Sequence, residues 1–147
     1  MKTTVVDDGP SRTVVVVLAA GDAMPEALET ACRELDVTAA RVEGIGAFSR
    51  ATVAFFDLES RDYLPIPVEE QVEVVSIAGN VSTVASSGER RIHLHALLSR
   101  RDGSTVGGHL LDATVRPTLE LFLTESPVPL RRVTDEATGL PLLDLDR

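Results

Sequence analysis

The chain has 147 residues, of which 44% are hydrophobic and 25% charged, and its formal net charge is −9 at pH 7. This length and composition are typical of a single globular domain with its own hydrophobic core. The negative charge argues against unaided nucleic-acid binding, in which lysine and arginine neutralise phosphates. The arginine doublets at 90–91, 100–101 and 131–132 are too scattered to form a basic stripe, and we interpret them as solvated strand ends.

The first elements predicted along the chain are a polar terminus and a buried strand. Residues 1–12 are predicted to be a flexible N-terminus, and residues 13–147 a single domain. The hydrophobic run 14–20 holds seven residues, far fewer than the ~20 that a membrane-spanning helix requires, and two aspartates precede it. We therefore expect a strand over 13–20, no membrane association and a cytoplasmic location.

The segment 21–35 predicts the one main helix. Its apolar residues recur at helical spacing on one face, Asp22 is the predicted N-cap, and Pro25 suits the first turn. Cys32 is the only cysteine, which excludes an internal disulfide and a cysteine-based zinc site. Its place on the apolar face indicates a small core residue.

After Asp36 the pattern changes to β-branched residues punctuated by Gly, Asn, Asp and Pro, which predicts strands. Pro65 and Pro67 indicate an edge strand or the start of a strand, and the tail from Ser126 is predicted to wrap the surface. One helix with six or seven mostly antiparallel strands is an α+β fold. The candidate strands cover 38–45, 50–57, 61–66, 68–78, 80–85, 91–99 and 105–123.

Four segments of the sequence carry a family resemblance. They are LAAGDAMPEALETACRELDVTAARVEGIGAFSRATVAFFD, VEVVSIAGNVS, HLHALLSRRDGSTVGGHLLDATVRPTLEL and RRVTDEATGLPLLDL. Together they resemble the plant-and-prokaryote-conserved (PPC) domain, also called DUF296, over residues 13–145, and in particular a stand-alone prokaryotic member. The resemblance implies a compact α+β fold that assembles as a homotrimer.

The chain departs from the plant members of that family in two places. In plants the domain follows an AT-hook, a basic arm that binds A·T-rich DNA, whereas these 147 residues contain no Arg-Gly-Arg-Pro. Plant members also carry a Gly-Arg-Phe-Glu segment that contacts other proteins. Residues 70–73, Glu-Gln-Val-Glu, stand in its place, and only Glu73 matches. DNA is therefore not an expected partner without help from another protein.

The histidines of the chain all lie in one stretch, at positions 93, 95 and 109. Side chains alternate along a strand, so His93 and His95 share a face, while Leu94 and Ala96 take the opposite face. The face with leucine and alanine is the predicted core face. The two histidines therefore project into solvent, a cleft or a subunit interface.

The turn between the two predicted strands decides where His109 lies. A three-residue loop over 101–103, with Gly103 in the left-handed conformation, pairs His95 with His109 and places all three rings on one face. A two-residue loop instead sends His109 to the opposite face. A bulge at the Gly107-Gly108 pair restores the convergence in either case.

Three neutral imidazoles on a rigid sheet match a Zn²⁺ site with one open position, so His93, His95 and His109 are candidate ligands of zinc or another divalent metal. The spacing is also similar to the zinc-binding His-x-His…His of acetolactate decarboxylase. A hydrogen-bonded histidine cluster without metal is the structural alternative. Glu73 and Glu120 are candidates for orienting the ligand rings or for acid–base chemistry, or else form ion pairs at the rim.

The sequence leaves three hypotheses about function. The first is a trimeric module with a metal or small-ligand site, which associates with itself or with another protein. The second is a metal-dependent lyase or hydrolase that acts on a small acid, in which the metal polarises a carbonyl group. The third is a DNA-binding regulator, which the net charge disfavours. The sequence assigns no catalytic residue and no substrate.

Overall fold

The computed structural model of the protein describes residues 1–9 and 11–145. Within them it has ten strands and one helix: β1 (Lys2–Asp7), β2 (Thr13–Ala19), β3 (Ala23–Met24), α1 (Glu26–Glu34), β4 (Ala40–Asp57), β5 (Asp62–Val68), β6 (Val72–Val84), β7 (Arg90–Ser99), β8 (Thr105–Glu125), β9 (Arg131–Thr134) and β10 (Pro141–Asp144). Strands far outnumber helices, as an α+β fold with one main helix predicts. Among the described residues, no helix combines the length and the apolar character that crossing a bilayer requires.

All ten described strands join one hydrogen-bonded sheet, and its longest path runs β1-β2-β8-β4-β6-β9-β10. Strand β7 pairs with both β6 and β8, while β4 also pairs with both, so these four strands form a closed ring of pairings. Strand β5 pairs with β4 alone, which confirms the edge position that its two prolines indicate. The only parallel pairing between described strands joins β6 to β9.

The structure corrects the predicted number of six or seven strands. Two long strands each absorb a pair of predicted ones, because glycine-containing segments that suggest turns are continuous strand instead. In β4 the register shifts between Gly44 and Gly46, so this glycine pair forms a bulge rather than a break. Four short strands that the sequence does not predict raise the total: β1, β3, β9 and β10.

The ends of the chain account for three of those four strands. The sequence predicts a flexible segment over 1–12, but Lys2–Asp7 pairs with β2 as an edge strand. Every residue of this strand is exposed, so hydrophobic burial leaves no pattern by which to recognise it. The tail beyond Ser126 is not merely a surface wrap, because β9 and β10 form a hairpin that joins β6.

The core lies between the helix and the inner faces of the long strands. Helix α1 buries Leu28, Ala31 and Cys32, as its predicted apolar face requires. Asp22 does not cap this helix, because its carboxylate accepts a hydrogen bond from the Ala19 N–H instead. From the sheet side, alternate residues of β7 contribute Leu94, Ala96 and Leu98 to the same core, with the histidines on the opposite face.

Candidate metal site

The turn between β7 and β8 places the third histidine. Its backbone hydrogen bonds run from the Arg100 N–H to the Ser104 carbonyl (2.8 Å) and from the Gly103 N–H to the Arg100 carbonyl (2.9 Å). Gly103 has a φ of +82°, in the left-handed region that favours glycine. The loop is therefore the three-residue form, and it pairs His95 directly with His109.

The register of β7 and β8 is regular from Ser99 paired with Thr105 to His95 paired with His109, so the Gly107-Gly108 pair forms no bulge there. These glycines serve close packing instead. A Cβ added to Gly107 would lie 2.9 Å from the Ala96 carbonyl oxygen, and one added to Gly108 would lie 2.5 Å from that of Ala54. A side chain at Gly108 would push β8 away from β4, whereas a methyl group at Gly107 would overlap β7 only slightly.

The rings of His93, His95 and His109 converge. Their centroids are 5.0 Å apart for His93 and His109, 5.1 Å for His93 and His95, and 5.6 Å for His95 and His109. One ligand nitrogen from each ring lies within 4.8 Å of the others. The Nε2 atoms of His93 and His95 are 3.2 Å apart and form a hydrogen bond in the metal-free protein. Two nitrogens bound to one tetrahedral zinc at ~2.0–2.1 Å lie about 3.3 Å apart, so this pair already has the required spacing.

His109 supplies an independent sign of a missing partner. Its Nδ1 atom is buried and has no hydrogen-bond partner among the described residues. Buried polar atoms are nearly always paired, because leaving one unpaired costs ~1–3 kcal/mol. The Tyr63 ring packs against His109, with centroids 4.6 Å apart and planes tilted by 31°. A metal ion or a bound ligand would satisfy the orphaned nitrogen.

The surroundings keep two of the rings neutral. Burial, helped by the Arg132 charge, lowers the pKa of His93 from 6.5 to about 4. Burial, with the His95 ring as the next cause, also lowers the pKa of His109. A metal binds the neutral imidazole, so a lowered pKa weakens the competition from protons near pH 7.

The buried Arg132 is a site residue that the sequence interpretation missed. Only 4% of it is exposed, which corrects the view of the doublet 131–132 as a solvated strand end. Its guanidinium donates to Ser82 Oγ (2.7 Å), to Asn80 Oδ1 (2.8 Å) and to the Pro141 carbonyl (2.6 Å). It thereby joins β9 and β10 to β6 beside the histidines.

Arg132 also fixes the tautomer of His93. One of its Nη2 hydrogens points at Nδ1 of His93, at 3.2 Å. Arginine has no acceptor, so Nδ1 must accept this bond, and the proton of the neutral ring then lies on Nε2. Ligand histidines usually donate their second N–H to an acceptor. Metal binding through Nε2 of His93 therefore requires that Arg132 turn away from Nδ1.

A small cavity of about 80 Å³ opens beside two of the three rings. Its polar lining comes from His93, His109, Tyr63, Arg91 and Arg132. Among the described residues, no aspartate or glutamate lines it. Tyr63 and Arg91 gave no signal in the sequence, because only the pairing of β5 with β4 and of β4 with β8 brings the tyrosine to His109.

The structure does not bring Glu73 or Glu120 to the histidines. Glu73 pairs with Ser99 on β7, four residues beyond His95, which is about 13 Å along the strand. Glu120 pairs with Ile45 and Val17, further along β8 than the histidine site. The two glutamates instead line a common hollow on another part of the surface. Neither is positioned to orient a ligand ring or to exchange a proton there.

Comparison with known families gives one match across most of the chain. The family model described as the Plants and Prokaryotes Conserved (PCC) domain matches residues 7–127. A curated relative, the Bifunctional protein GlmU from Synechococcus, is 28% identical over 142 residues. That match takes in 95% of this chain but 21% of the relative, so the chain spans about a fifth of its length.

Two solved structures share both sequence and fold with the chain. A metal-containing protein from Archaeoglobus fulgidus is 30% identical with a TM-score of 0.82, covering 97% of this chain and 96% of that one. A plant- and prokaryote-conserved protein from Pyrococcus horikoshii is 25% identical with a TM-score of 0.84, covering 99% and 96%. Alpha-acetolactate decarboxylase from Bacillus subtilis, at 14% identity and a TM-score of 0.60 over 88% of this chain and 59% of that one, shares the fold alone.

Proposed function

Because the chain belongs to the Plants and Prokaryotes Conserved domain family, we propose that it is a homotrimeric module that binds one divalent metal ion, zinc, through His93, His95 and His109. The module works through association with itself or with another protein. It acts in the cytoplasm, where its single free cysteine, which is buried, needs no oxidising environment.

The convergence of the three rings carries the metal part of the proposal. The donor set is three imidazoles, the ligand type that suits zinc, and the spacing of the His93 and His95 nitrogens fits a shared ion. The unpaired nitrogen of His109 adds a group that lacks a partner. The metal-containing relative from Archaeoglobus fulgidus supports the same view. When bound, the metal would offer an open position to a ligand.

Isothermal titration calorimetry with zinc tests the proposed metal binding. We expect one ion per chain for the native protein and no saturable binding for His95→Ala, since His95 is exposed and its loss leaves the core intact. Leu97→Ala is the matched control, because Leu97 lies on the same face of β7 and offers no ligand atom. Equal binding by native protein and His95→Ala would show that the histidines do not hold the ion.

An exposed apolar face supports the trimer. On the strands β8, β4 and β6, the side chains of Phe122, Ile45 and Val75 are 45%, 60% and 51% exposed and line one hollow. Large apolar side chains grouped in this way usually mark a contact surface, because burying them removes apolar area from water. The proposal therefore places the subunit interface on this face.

Light scattering during gel filtration measures the assembly. We expect three times the 15.7 kDa of one chain for the native protein and a smaller mass for Ile45→Glu, which puts a charge in the interface. Val128→Glu is the matched control, since Val128 is similarly exposed, at 52%, but does not line that hollow. A native mass of 15.7 kDa at micromolar concentration would contradict the trimer.

The other two hypotheses have less support. A lyase or hydrolase needs an acid–base group near the metal, and Glu73 and Glu120 lie elsewhere. A DNA-binding regulator needs a basic surface, whereas the chain has a net charge of −9 and Arg132 is buried.

A further inference from the structure

The cavity beside the histidines is positive in a protein that is strongly negative. The chain carries a net charge of −9, yet Arg91 and Arg132 both line this small space. Among the described residues neither arginine forms an ion pair with a carboxylate, whereas Arg90 pairs with Glu29 and Arg100 with Glu70. An acidic protein has many carboxylates with which to neutralise an arginine, so it needs explaining that none of the described residues places one in this cavity.

Of the two arginines, Arg132 gives the stronger indication of a missing anion. Arginine has five N–H donors, and four of them have acceptors, all neutral: Ser82, Asn80, the Pro141 carbonyl and His93. A buried cation without a counter-charge is costly, since its attraction to neutral dipoles replaces only part of its hydration. An anion in the adjoining cavity would offset that cost.

The size and walls of the cavity limit which anion fits. About 80 Å³ has room for only a few heavy atoms. The remaining residues of the lining are apolar, and apolar side chains there favour an organic anion with a short hydrocarbon part over a fully hydrated inorganic ion. These apolar lining residues are Ile92, Leu140, Pro141 and Leu142.

We infer that this cavity binds the carboxylate of a small organic acid, held by Arg132 and Arg91 beside the open position of the metal. The position beside the metal rests on the proposed metal site. A divalent ion there would add positive charge to a cavity that already has an excess of it. Bidentate pairing with a carboxylate is the geometry for which a guanidinium is suited. Tyr63 offers a hydroxyl donor in the same lining.

Anion and metal should help each other to bind. The Nη2 hydrogen of Arg132 that now points at Nδ1 of His93 is the one that must leave for the metal to bind at Nε2. A carboxylate would accept that hydrogen and let His93 carry its proton on Nδ1. The coupling is reciprocal, so the acid should tighten metal binding by the factor by which the metal tightens acid binding.

Titration of the cobalt-loaded protein with acetate tests the inference, because the visible spectrum of bound Co²⁺ reports on its ligands. We expect a saturable spectral change with acetate and none with acetamide, its neutral counterpart. Arg132→Met should weaken acetate binding about tenfold or more, because it removes a hydrogen bond between charged groups. Arg91→Met should weaken acetate binding about threefold, because Arg91 is exposed. Arg101→Met is the matched control, since Arg101 lies in the turn at the far end of the hairpin, and should change nothing.

The outcomes separate this inference from the metal proposal. Cobalt binding without any effect of acetate, on the spectrum or on the amide NMR shifts of the cavity residues, overturns the inference and leaves the metal site intact. If cobalt does not bind, the metal proposal fails. The inference is then decided by the amide NMR shifts of the metal-free protein: saturable shifts of the cavity residues with acetate support it, and unchanged shifts overturn it. Tighter binding of phosphate than of acetate contradicts the organic acid. If Arg132→Met does not fold, Arg132→Lys and Arg91→Met give the same test.

Discussion

Gly79 of β6 holds β7, and with it His93, at its present distance, so Gly79→Ala is the most informative single substitution. A Cβ at this position would lie 1.9 Å from the carbonyl oxygen of His93 and 2.9 Å from the Cα of Leu94. Real Cβ contacts essentially never fall below 3.0 Å, so the His93 carbonyl must move by about 1.1 Å. The neighbour is backbone in a paired strand, which cannot rotate away as a side chain does.

The expected cost follows from that displacement. Overpacking that shifts backbone costs ~1–3 kcal/mol, and replacing glycine by alanine returns ~0.4–1 kcal/mol by restricting the unfolded chain. Because a backbone shift of about 1.1 Å is large, we take the upper ends of both ranges and expect a net loss of about 2 kcal/mol in the free energy of unfolding. For a chain of this size that lowers the melting temperature by about 4–8 °C. Zinc affinity should fall about tenfold or more, as when groups that orient a ligand are altered.

Gly107→Ala is the matched control, because it also adds a methyl group against β7 but with little overlap. Its Cβ would lie 2.9 Å from the Ala96 carbonyl oxygen, so a shift of about 0.1 Å is enough. Differential scanning calorimetry of the metal-free proteins gives the melting temperatures, and a zinc titration gives the affinities. If Gly79→Ala melts and binds zinc as Gly107→Ala does, the spacing of β6 and β7 is not what positions His93.

Two further expectations concern pH and DNA. The pKa of His93 is about 4 in the folded protein and ~6.5 in an unfolded chain, so between those values the unfolded state binds more protons. The stabilisation from the neutral ring is complete above pH ~6.5 and is lost as the pH falls towards 4. In urea unfolding of the metal-free proteins, the free energy of unfolding should therefore fall more steeply with decreasing pH for the native chain than for His93→Gln. Parallel plots of that free energy against pH would refute this expectation. Fluorescence anisotropy should detect no appreciable binding of duplex DNA at physiological salt, because the net charge is −9. Salt-sensitive binding at micromolar concentration would contradict that expectation.

The histidine cluster could be predicted because local chemistry controls it. Alternation places His93 and His95 on one face, and a glycine at 103 that accepts a left-handed φ permits the three-residue turn. That turn alone sets the register that brings His109 opposite His95. The sequence left the two-residue turn open, because Asp102 and Gly103 also suit it, and only the folded backbone distinguishes the two.

The rest of the site depends on contacts between segments that are distant in sequence. Arg132 reaches the histidines because β9 adds to β6 in parallel, with Thr83 opposite Arg131. Nothing in the doublet 131–132 distinguishes its buried arginine from its exposed one. The strand count failed for a related reason, since a glycine that bends a strand and a glycine that ends one look alike in the sequence, as at Gly44 and Gly46.

The central claim is that three histidines share one metal ion, and a crystal structure of the zinc-loaded protein tests it most directly. Anomalous scattering at the zinc edge locates the ion independently of the protein chain. We predict one peak per chain, with nitrogens of His93, His95 and His109 at ~2.0–2.1 Å from it. A structure from zinc-saturated protein with no peak among these rings, or with the zinc bound elsewhere on the chain, would contradict the account.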